Sequence, residues 1–290
     1  MTQTVAVLGT GRMGSGMART LRQSGFNVVV YNRTAESAQA LAGEIGAIAA
    51  PTAREAAAAA DVVISSLADD AAVTDVYSGP NGAAAGLSDG TVVLEMSTID
   101  PGTVAEIAAV IEAAGAVLID APVSGSVPLV AQGALTVIAG GTEEGMETAR
   151  PVLDALSGKV YHVGDLGSGA TMKLAVNAIV HAVNVALAEA LVLSEKAGVD
   201  RAAAYEVFAN SVAGSPFIEY KQAAFLAPED TPVDFPLDLV AKDLDLILEL
   251  GERVGADMDQ GTVNRAVVDQ ALAAGLGDQD MSAIADYLRG

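Results

Sequence analysis

Short apolar runs and longer amphipathic segments alternate along the first 165 residues. The runs are rich in β-branched residues and predict strands at residues 4–8, 27–31, near 48, 61–65, 91–96, 116–120, 135–139 and 159–163. The segments between them predict helices at residues 15–23, 35–44, 52–60, 101–114 and 143–156, and a further helix that begins near residue 71. Such alternation is typical of a mainly parallel sheet with helices on both faces, which binds ligands beyond the carboxyl ends of its strands.

After residue 165 the strand pattern ends and only helical patterns follow, at residues 174–197, 202–209, 214–224, 237–254, 258–274 and 281–288. We therefore predict a doubly wound α/β domain at residues 1–165, a long interdomain helix at 166–195 and an all-helical domain at 196–290. Polar residues interrupt the apolar long helix, so we expect it to be buried and not to span a membrane.

A polar stripe marks this long helix. Lys173, Asn177 and His181 follow one another at intervals of four residues, which places them on one face of a helix. Burial lowers the pKa of a lysine toward neutrality, so Lys173 is the first candidate for acid–base chemistry. The plain structural alternative is that its amine reaches water beside residues 164–169. We expect His181 to be a hydrogen-bonded helix residue.

The first predicted strand runs into a glycine-rich turn, G-T-G-R-M-G at residues 9–14, directly ahead of a helix. In this setting Gly9 permits a tight turn, Gly11 lets the backbone approach a pyrophosphate, and Gly14 lets helix and strand pack closely. With 30 Gly in the chain the pattern alone is weak. Its place in a βαβ unit of about 30 residues makes it a dinucleotide-binding signal.

The second predicted strand ends in Asn32-Arg33-Thr34, where an acidic residue would bind the ribose of NAD. A guanidinium and two neutral polar side chains suit a 2′-phosphate, so we expect NADP in preference to NAD. The structural alternative is that Arg33 is a solvated turn residue. Later strands lead to Leu67, Thr98 and the turn Ser124-Gly125-Ser126, whose hydroxyl and N–H groups can hold a carboxylate or carbonyl oxygen. Turn chemistry explains the same small residues equally well.

Composition narrows the classes of partner. Lys and Arg number 15 and Asp and Glu 37, giving a net charge of −22 that repels nucleic acid. An anionic cofactor must therefore be held by local N–H groups and one or two arginines. Cysteine is absent, which excludes disulfides and thiol catalysis, and His162 and His181 lie too far apart to suggest a metal site. With no signal-peptide pattern at the N-terminus, we expect a cytoplasmic protein.

These motifs together resemble the β-hydroxyacid dehydrogenase family. The resemblance covers nearly the whole chain and rests on GTGRMGSGMA (9–18), Ser97-Thr98, DAPVSG (120–125), GSGATMKLAVN (167–177) and FPLDLVAKD (235–243). It implies a Rossmann domain, a long interdomain helix and a helical domain that completes the neighbouring subunit's site in a homodimer or homotetramer. It also implies hydride transfer between a nicotinamide and a small semialdehyde or 3-hydroxy acid.

The resemblance assigns roles to particular residues. Lys173 is the implied acid/base and Asn177 its catalytic partner, with substrate held by Thr98, Ser124, Gly125, Ser126 and Phe235. The implied cofactor contacts are Gly9, Gly11, Arg12, Met13, Gly14, Asn32, Arg33, Thr34, Leu67, Ala68, Val73, Thr98 and Lys242. Asp243 lies next to Lys242, and the pair forms either a salt bridge or part of the ligand crevice.

Two departures from the family and two alternatives remain. Many family members have a second glycine where this chain has Ser126. Just after it, Val127-Pro128-Leu129 stands where semialdehyde reductases carry basic residues, which leaves room for a bulkier or less charged substrate. The first alternative is an imine reductase, whose family generally has Asp or Tyr in place of Lys173. The second is a non-catalytic NADP-binding module, whose known examples tend to lose that lysine and to carry basic partner regions.

Overall fold

The computed structural model describes residues 2–290, which form two compact units, one ending at Lys173 and the other covering Leu174–Gly290. The described part of the first unit has nine strands: β1 (Thr4–Leu8), β2 (Asn27–Tyr31), β3 (Ile48–Ala49), β4 (Val62–Ser65), β5 (Val92–Glu95), β6 (Val117–Asp120), β7 (Val123–Ser124), β8 (Leu135–Gly140) and β9 (Ser157–Gly164). Its helices are α1 (Arg12–Gln23), α2 (Ala35–Ile45), α3 (Ala53–Ala58), α4 (Asp70–Ser78), α5 (Pro101–Ala113), α6 (Val127–Ala131) and α7 (Glu143–Leu156).

All these strands belong to one sheet with the order β3-β2-β1-β4-β5-β6-β8-β7, and β9 pairs with β8. The first six strands in this order are parallel, whereas β8 is antiparallel to both β6 and β7. The predicted doubly wound, mainly parallel sheet is therefore confirmed. Its strand order reverses at β1 and β4, and a crevice for a dinucleotide forms at such a switch point.

Alternation along β1 explains why helices cover both faces of the sheet. Val5 and Val7 pack with Met17 and Leu21 of α1 in one hydrophobic cluster. Ala6 and Leu8 belong to a second cluster that contains residues of α3, α4 and α5. Successive strand residues point to opposite faces, so an entirely apolar strand requires a helical layer on each side.

The chain between β6 and β8 differs from the sequence prediction. The sequence pattern predicts only a turn at residues 124–126 there, but the segment contains the two-residue strand β7 and the short helix α6. This helix forms because Gly16 of α1 leaves space for Val130, whose Cγ1 lies 2.2 Å from where a Cβ would be. The Thr20 hydroxyl also donates to the Val130 carbonyl oxygen at 2.8 Å. Long-range packing therefore accounts for part of this apolar stretch.

The long helix α8 (Ser168–Lys196) begins two residues after the start predicted for the interdomain helix, residue 166, and ends one residue after its predicted end, residue 195. By length and composition alone it could cross a membrane, and 44% of its most apolar window is buried within the protein. The remaining helices of the second unit are α9 (Arg201–Asn210), α10 (Pro216–Leu226), α11 (Leu237–Val254), α12 (Asp259–Ala273) and α13 (Ile284–Arg289). Apolar faces of these helices form a single hydrophobic cluster.

One ion pair lies inside this helical core. Lys221 is 1% exposed, and its Nζ donates to Asp280 Oδ2 at 2.7 Å. The same oxygen accepts the N–H groups of Asp234 and Phe235, and Oδ1 accepts that of Ser282. Burial raises the pKa of Asp280, but the Lys221 ammonium and these N–H groups lower it by more. Asp280 thus fixes the chain that leads into α11.

Removing this carboxylate should destabilise the second unit. In Asp280→Ala the Lys221 charge stays buried without that partner, and we expect a loss of about 3–5 kcal/mol in the free energy of unfolding, measured by urea denaturation. The matched control is Arg19→Ala, which breaks the exposed Arg19–Glu44 pair and should leave the unfolding midpoint nearly unchanged. Equal effects of the two substitutions would contradict this account of the core.

Candidate active site

The glycine-rich turn between β1 and α1 has the shape that a dinucleotide requires. Gly9 has φ +99°, and a Cβ there would lie 2.4 Å from the Ser66 carbonyl oxygen. A Cβ at Gly14 would lie 2.0 Å from the Gly9 carbonyl oxygen. Gly11, by contrast, faces open space, with no atom within 4 Å of the position that a Cβ would take. Two glycines are thus required by packing, and the third leaves room for a ligand.

Polar groups of this turn are available to such a ligand. Gly11 precedes α1 without a side-chain hydrogen bond to the helix, and the first N–H groups of any helix lack partners within it. The Thr10 hydroxyl is buried and has no hydrogen-bond partner among the described residues. A helix N-terminus with free N–H groups fits a pyrophosphate. The residues present therefore fit a dinucleotide cofactor.

Asn32, at the end of β2, links the next loop to this turn. Its Oδ1 accepts the N–H of Thr10 at 3.1 Å, and its Nδ2 donates to the Thr34 carbonyl oxygen at 3.1 Å. The amide is therefore engaged within the protein, and its role is to hold the two loops together. Arg33 and Thr34 remain exposed beside the turn, and they can meet an anionic group there.

The loops after β4 and β5 carry the next predicted ligand residues. Leu67 and Thr98 are half-buried and Ala68 is exposed. The Leu67 N–H donates to the Ser97 hydroxyl at 2.9 Å, which connects the two loops. Val73 does not join them, because its side chain is fully buried in a hydrophobic cluster of the sheet.

The predicted substrate turn lies at the edge of the sheet. Ser124 belongs to β7 and pairs with Thr136 of β8. Gly125 has φ +141°, which favours glycine, and Ser126 directly precedes α6. Ser124 and Ser126 are half-buried. Their hydroxyls are not consumed by capping of α6, since Ser126 makes no side-chain cap hydrogen bond.

Asp120, the last residue of β6, holds the beginning of α8. Its Oδ1 accepts the N–H of Gly167 at 2.9 Å, and its Oδ2 accepts that of Ala170 at 2.7 Å. Burial raises the pKa of Asp120 to about 6, and hydrogen bonds from backbone N–H groups limit the rise. A Cβ at Gly169 would lie 2.4 Å from the Asp120 carbonyl oxygen, so helix and strand meet without space for a side chain.

This anchor places Lys173 near the carboxyl ends of the strands. Lys173 lies in the second turn of α8, one turn beyond Ala170, and it is half-buried. The glycine turn follows β1 at the same edge of the sheet, because β1 and β6 run parallel within it. The amine and the proposed dinucleotide turn therefore belong to one edge of the first unit.

The second unit has its own polar cluster around Asp243 of α11. Asp243 accepts a hydrogen bond from Asn177 at 2.6 Å and pairs with Lys242 at 2.9 Å. Burial raises the pKa of Asp243, but His181 and Lys242 lower it by more, to about 2. His181 differs from expectation, because its ring nitrogens make no well-formed hydrogen bond and Nε2 lies 3.4 Å from Asp243. Phe235 lies 6.1 Å from the His181 ring.

Sequence reasoning did not single out three buried charged residues, namely Glu95, Lys221 and Asp280. Glu95 is an acidic residue inside an apolar strand run, and it is buried. Lys221 lies four residues after Phe217 and four before Phe225, on the apolar face of α10, and pairs with Asp280. A charge at a core position is a detectable signal, but its partner is remote in sequence and could not be assigned.

Loss of the Asp120 carboxylate should loosen the start of α8. In Asp120→Ala the N–H groups of Gly167 and Ala170 lose their acceptor, and we expect about 3 kcal/mol less stability by urea denaturation at neutral pH. Asp120→Asn keeps one oxygen acceptor and should lose less. Equal losses in the two variants would contradict the role of the carboxylate.

Comparing wild type with Asp120→Asn tests the charge of Asp120. Its pKa is raised from 3.8 to about 6 in the folded protein, so its stabilising contribution is complete below about pH 3.8 and is lost as the pH rises through 6. We expect wild-type stability to fall relative to that of Asp120→Asn between pH 4 and pH 7. A constant difference across this range would show that Asp120 titrates as it does in an unfolded chain.

Comparison with known proteins agrees with this geometry. Residues 4–164 match the model for the NAD binding domain of 6-phosphogluconate dehydrogenase, and residues 167–288 match the model for the NAD-binding region of NADP-dependent 3-hydroxyisobutyrate dehydrogenase. The chain is 34% identical to 3-sulfolactaldehyde reductase of Escherichia coli over 285 residues, covering 98% of this chain and 95% of that protein.

Solved structures give the same result. The 3-hydroxyisobutyrate dehydrogenase (ygbJ) of Salmonella typhimurium has a TM-score of 0.90 and 29% identity, covering 98% of this chain and 99% of that one. An imine reductase from Pseudomonas sp. has a TM-score of 0.67 and 24% identity over 99% of this chain and 100% of that one, a likeness that shows the fold alone. The chain belongs to the β-hydroxyacid dehydrogenase family and is an NAD(P)-dependent oxidoreductase acting on hydroxyl or aldehyde groups.

Proposed function

We propose that the protein is an NADP(H)-dependent β-hydroxyacid dehydrogenase that acts on a small semialdehyde or 3-hydroxy acid, with Lys173 as general acid and base. The observation that carries this proposal is the anchoring of α8 by Asp120. It puts a half-buried lysine one turn from the sheet edge at which the glycine turn opens. Names of the relatives support the substrate class, since they act on a 3-hydroxy acid and on an aldehyde bearing an anionic group.

A nicotinamide dinucleotide held at the glycine turn of residues 9–14 would supply or accept the hydride. As negative charge develops on the carbonyl oxygen of the substrate, the Lys173 ammonium donates a proton to it, and in the opposite direction the neutral amine removes that proton. Asn177, one helical turn further along α8, orients the lysine and the substrate oxygen. Thr98, Ser124 and the N–H groups of residues 124–126 hold the anionic end of the substrate.

The choice of NADP rests on the loop after β2. Arg33 is exposed there, and no acidic side chain occupies residues 32–34. Because the Asn32 amide is engaged with the Thr10 N–H and the Thr34 carbonyl oxygen, the Arg33 guanidinium and the Thr34 hydroxyl are the groups that can bind a 2′-phosphate. In a chain of net charge −22 such a local cation offsets the repulsion of an anionic cofactor.

Substitution of Arg33 tests cofactor choice. Arg33→Ala should raise the KM for NADPH about tenfold, the equivalent of one lost charge-assisted hydrogen bond, and leave the KM for NADH nearly unchanged. Arg54→Ala, another exposed arginine of the first unit, is the matched control. If Arg33→Ala raised both KM values equally, Arg33 would not read the 2′-phosphate.

A substrate screen tests the activity and the role of Lys173 together. Oxidation of NADPH is followed with glyoxylate, succinic semialdehyde, methylmalonate semialdehyde and small cyclic imines, and then repeated with NADH. With the best substrate, Lys173→Ala should lower kcat by about 100-fold or more while cofactor affinity stays near normal. Lys196→Ala, at the exposed end of the same helix, is the control. Near-wild-type turnover in Lys173→Ala, or turnover of imines alone, would refute the proposal.

We also propose that the protein is a homodimer through the exposed side of α8. Ile179 and Leu193 are 67% and 71% exposed, and they lie fourteen residues apart with exposed Ala186 midway between them. A spacing of seven keeps these apolar residues on one side of the helix, and exposed apolar stripes mark interfaces.

Charges on this stripe should separate the subunits. Ile179→Glu with Leu193→Glu should shift the mass in light scattering from two chains to one, whereas Val207→Glu on α9, also exposed, should not. A wild-type protein with the mass of one chain, or a dimer that survives both substitutions, would contradict this interface.

A further inference from the structure

A buried chain of hydrogen bonds runs beneath the loops that follow β4 and β5. The Ser65 hydroxyl bonds to one carboxylate oxygen of Glu95 and lies 2.6 Å from the Tyr77 hydroxyl. The other Glu95 oxygen accepts the N–H of Ser97 at 2.8 Å. The Ser97 hydroxyl in turn accepts the N–H of Leu67 at 2.9 Å. The chain thus connects the interior of the sheet with the loop proposed to meet the cofactor.

Ionised Glu95 satisfies every member of this chain. Tyr77 then donates to Ser65, Ser65 donates to one oxygen of Glu95, and Ser97 donates its N–H to the other. If Glu95 is protonated, its own proton goes to Ser65. Within this chain, either the Ser65 or the Tyr77 hydroxyl proton is then left without an acceptor. Tyr77 and Glu95 are each 1% exposed, so water cannot readily replace the lost partner.

We propose that Glu95 is a positioning residue for the bound dinucleotide, because it fixes Ser97 and, through Ser97, the Leu67 N–H and the adjoining Thr98. The inference rests on the proposed NADP(H) function and on the cofactor contacts that the family resemblance implies for Leu67, Ala68 and Thr98. Glu95 and Ser97 themselves touch neither the substrate nor the reacting atoms. Their effect is on the order of the loops and therefore on cofactor affinity.

The charge state of Glu95 changes within the range of ordinary assays. Burial raises the pKa of Glu95 to about 7, although the hydrogen bonds from Ser65 and Ser97 oppose the rise, and the nearby Asp70 adds to it. The other titratable groups around it are Tyr77 of α4, whose pKa burial raises well above its usual value, and Asp120, its register neighbour on β6. Loop order should therefore depend on pH near neutrality.

The test is the dissociation constant of NADPH, measured by fluorescence titration from pH 6 to pH 8.5. Glu95→Gln has the shape of the neutral acid and serves as the reference. Titration of the cofactor phosphates and of Asp120 affects this variant and the wild type alike, so the ratio of their dissociation constants isolates the charge of Glu95. The ratio of the Glu95→Gln dissociation constant to that of wild type should rise from about one at pH 6 to about fivefold at pH 8.5, since hydrogen bonds to charged groups are roughly twice as strong.

Ser97→Ala provides a second variant, which keeps the Glu95 carboxylate and the Ser97 N–H but removes the hydroxyl that accepts the Leu67 N–H. It should bind NADPH about fivefold more weakly at pH 8.5, and adding Glu95→Gln should weaken binding little further. Thermal melts identify any variant that does not fold, and Ser97→Ala alone then decides the matter.

Two results would overturn the positioning role: a Glu95→Gln ratio that is constant with pH, or wild-type affinity in folded Ser97→Ala. Additive losses in the double variant would likewise show that Glu95 does not act through Ser97. Failure of the proposed function has a different signature, because wild type would then bind neither NADPH nor NADH at any pH.

Discussion

The hydrogen bonds from Gly167 and Ala170 to the Asp120 carboxylate are the constraint on which the position of Lys173 depends. A strand end and a helix start, 47 and 50 residues apart at these contacts, are joined by one side chain at 2.9 and 2.7 Å. Gly169 allows the two backbones to meet without an intervening Cβ. Without this junction, the first turns of α8 would be attached to the sheet only through a loop. The Lys173 amine would then have no defined position relative to the glycine turn.

The edge of the sheet carries two buried carboxylates side by side, and each orders a different segment. Asp120 holds α8, whereas Glu95, its register neighbour on β5, holds Ser97 and through it Leu67. Burial raises the pKa of each, to about 6 and about 7. Keeping these carboxylates charged beneath the ligand loops therefore lowers the stability of the folded protein at neutral pH. Such a cost is common where function requires fixed polar groups.

Regular features of this protein were predictable from local sequence. The β1, β2, α7 and α11 boundaries are those that the periodic patterns indicate, and Gly9 and Gly14 have the tight surroundings expected of them. The long helix α8 was also predicted, but its anchoring was not, because the hydrogen bonds from Gly167 and Ala170 to Asp120 join residues that are remote in sequence. The α6 helix was missed for the same reason, since it forms by packing against Gly16. The sequence can show that Lys221 and Asp280 are each unusual, but it cannot show that they pair, because they are 59 residues apart.

The central claim is most directly tested by hydrogen exchange at the Gly167 and Ala170 amides in the wild-type protein and in Asp120→Ala. If the carboxylate holds the start of α8, both amides exchange as slowly as those of the buried strand β1 in wild type, and lose that protection in the variant while β1 keeps it. Fast exchange at both amides in the wild type, at the rate of an exposed loop, would contradict the account.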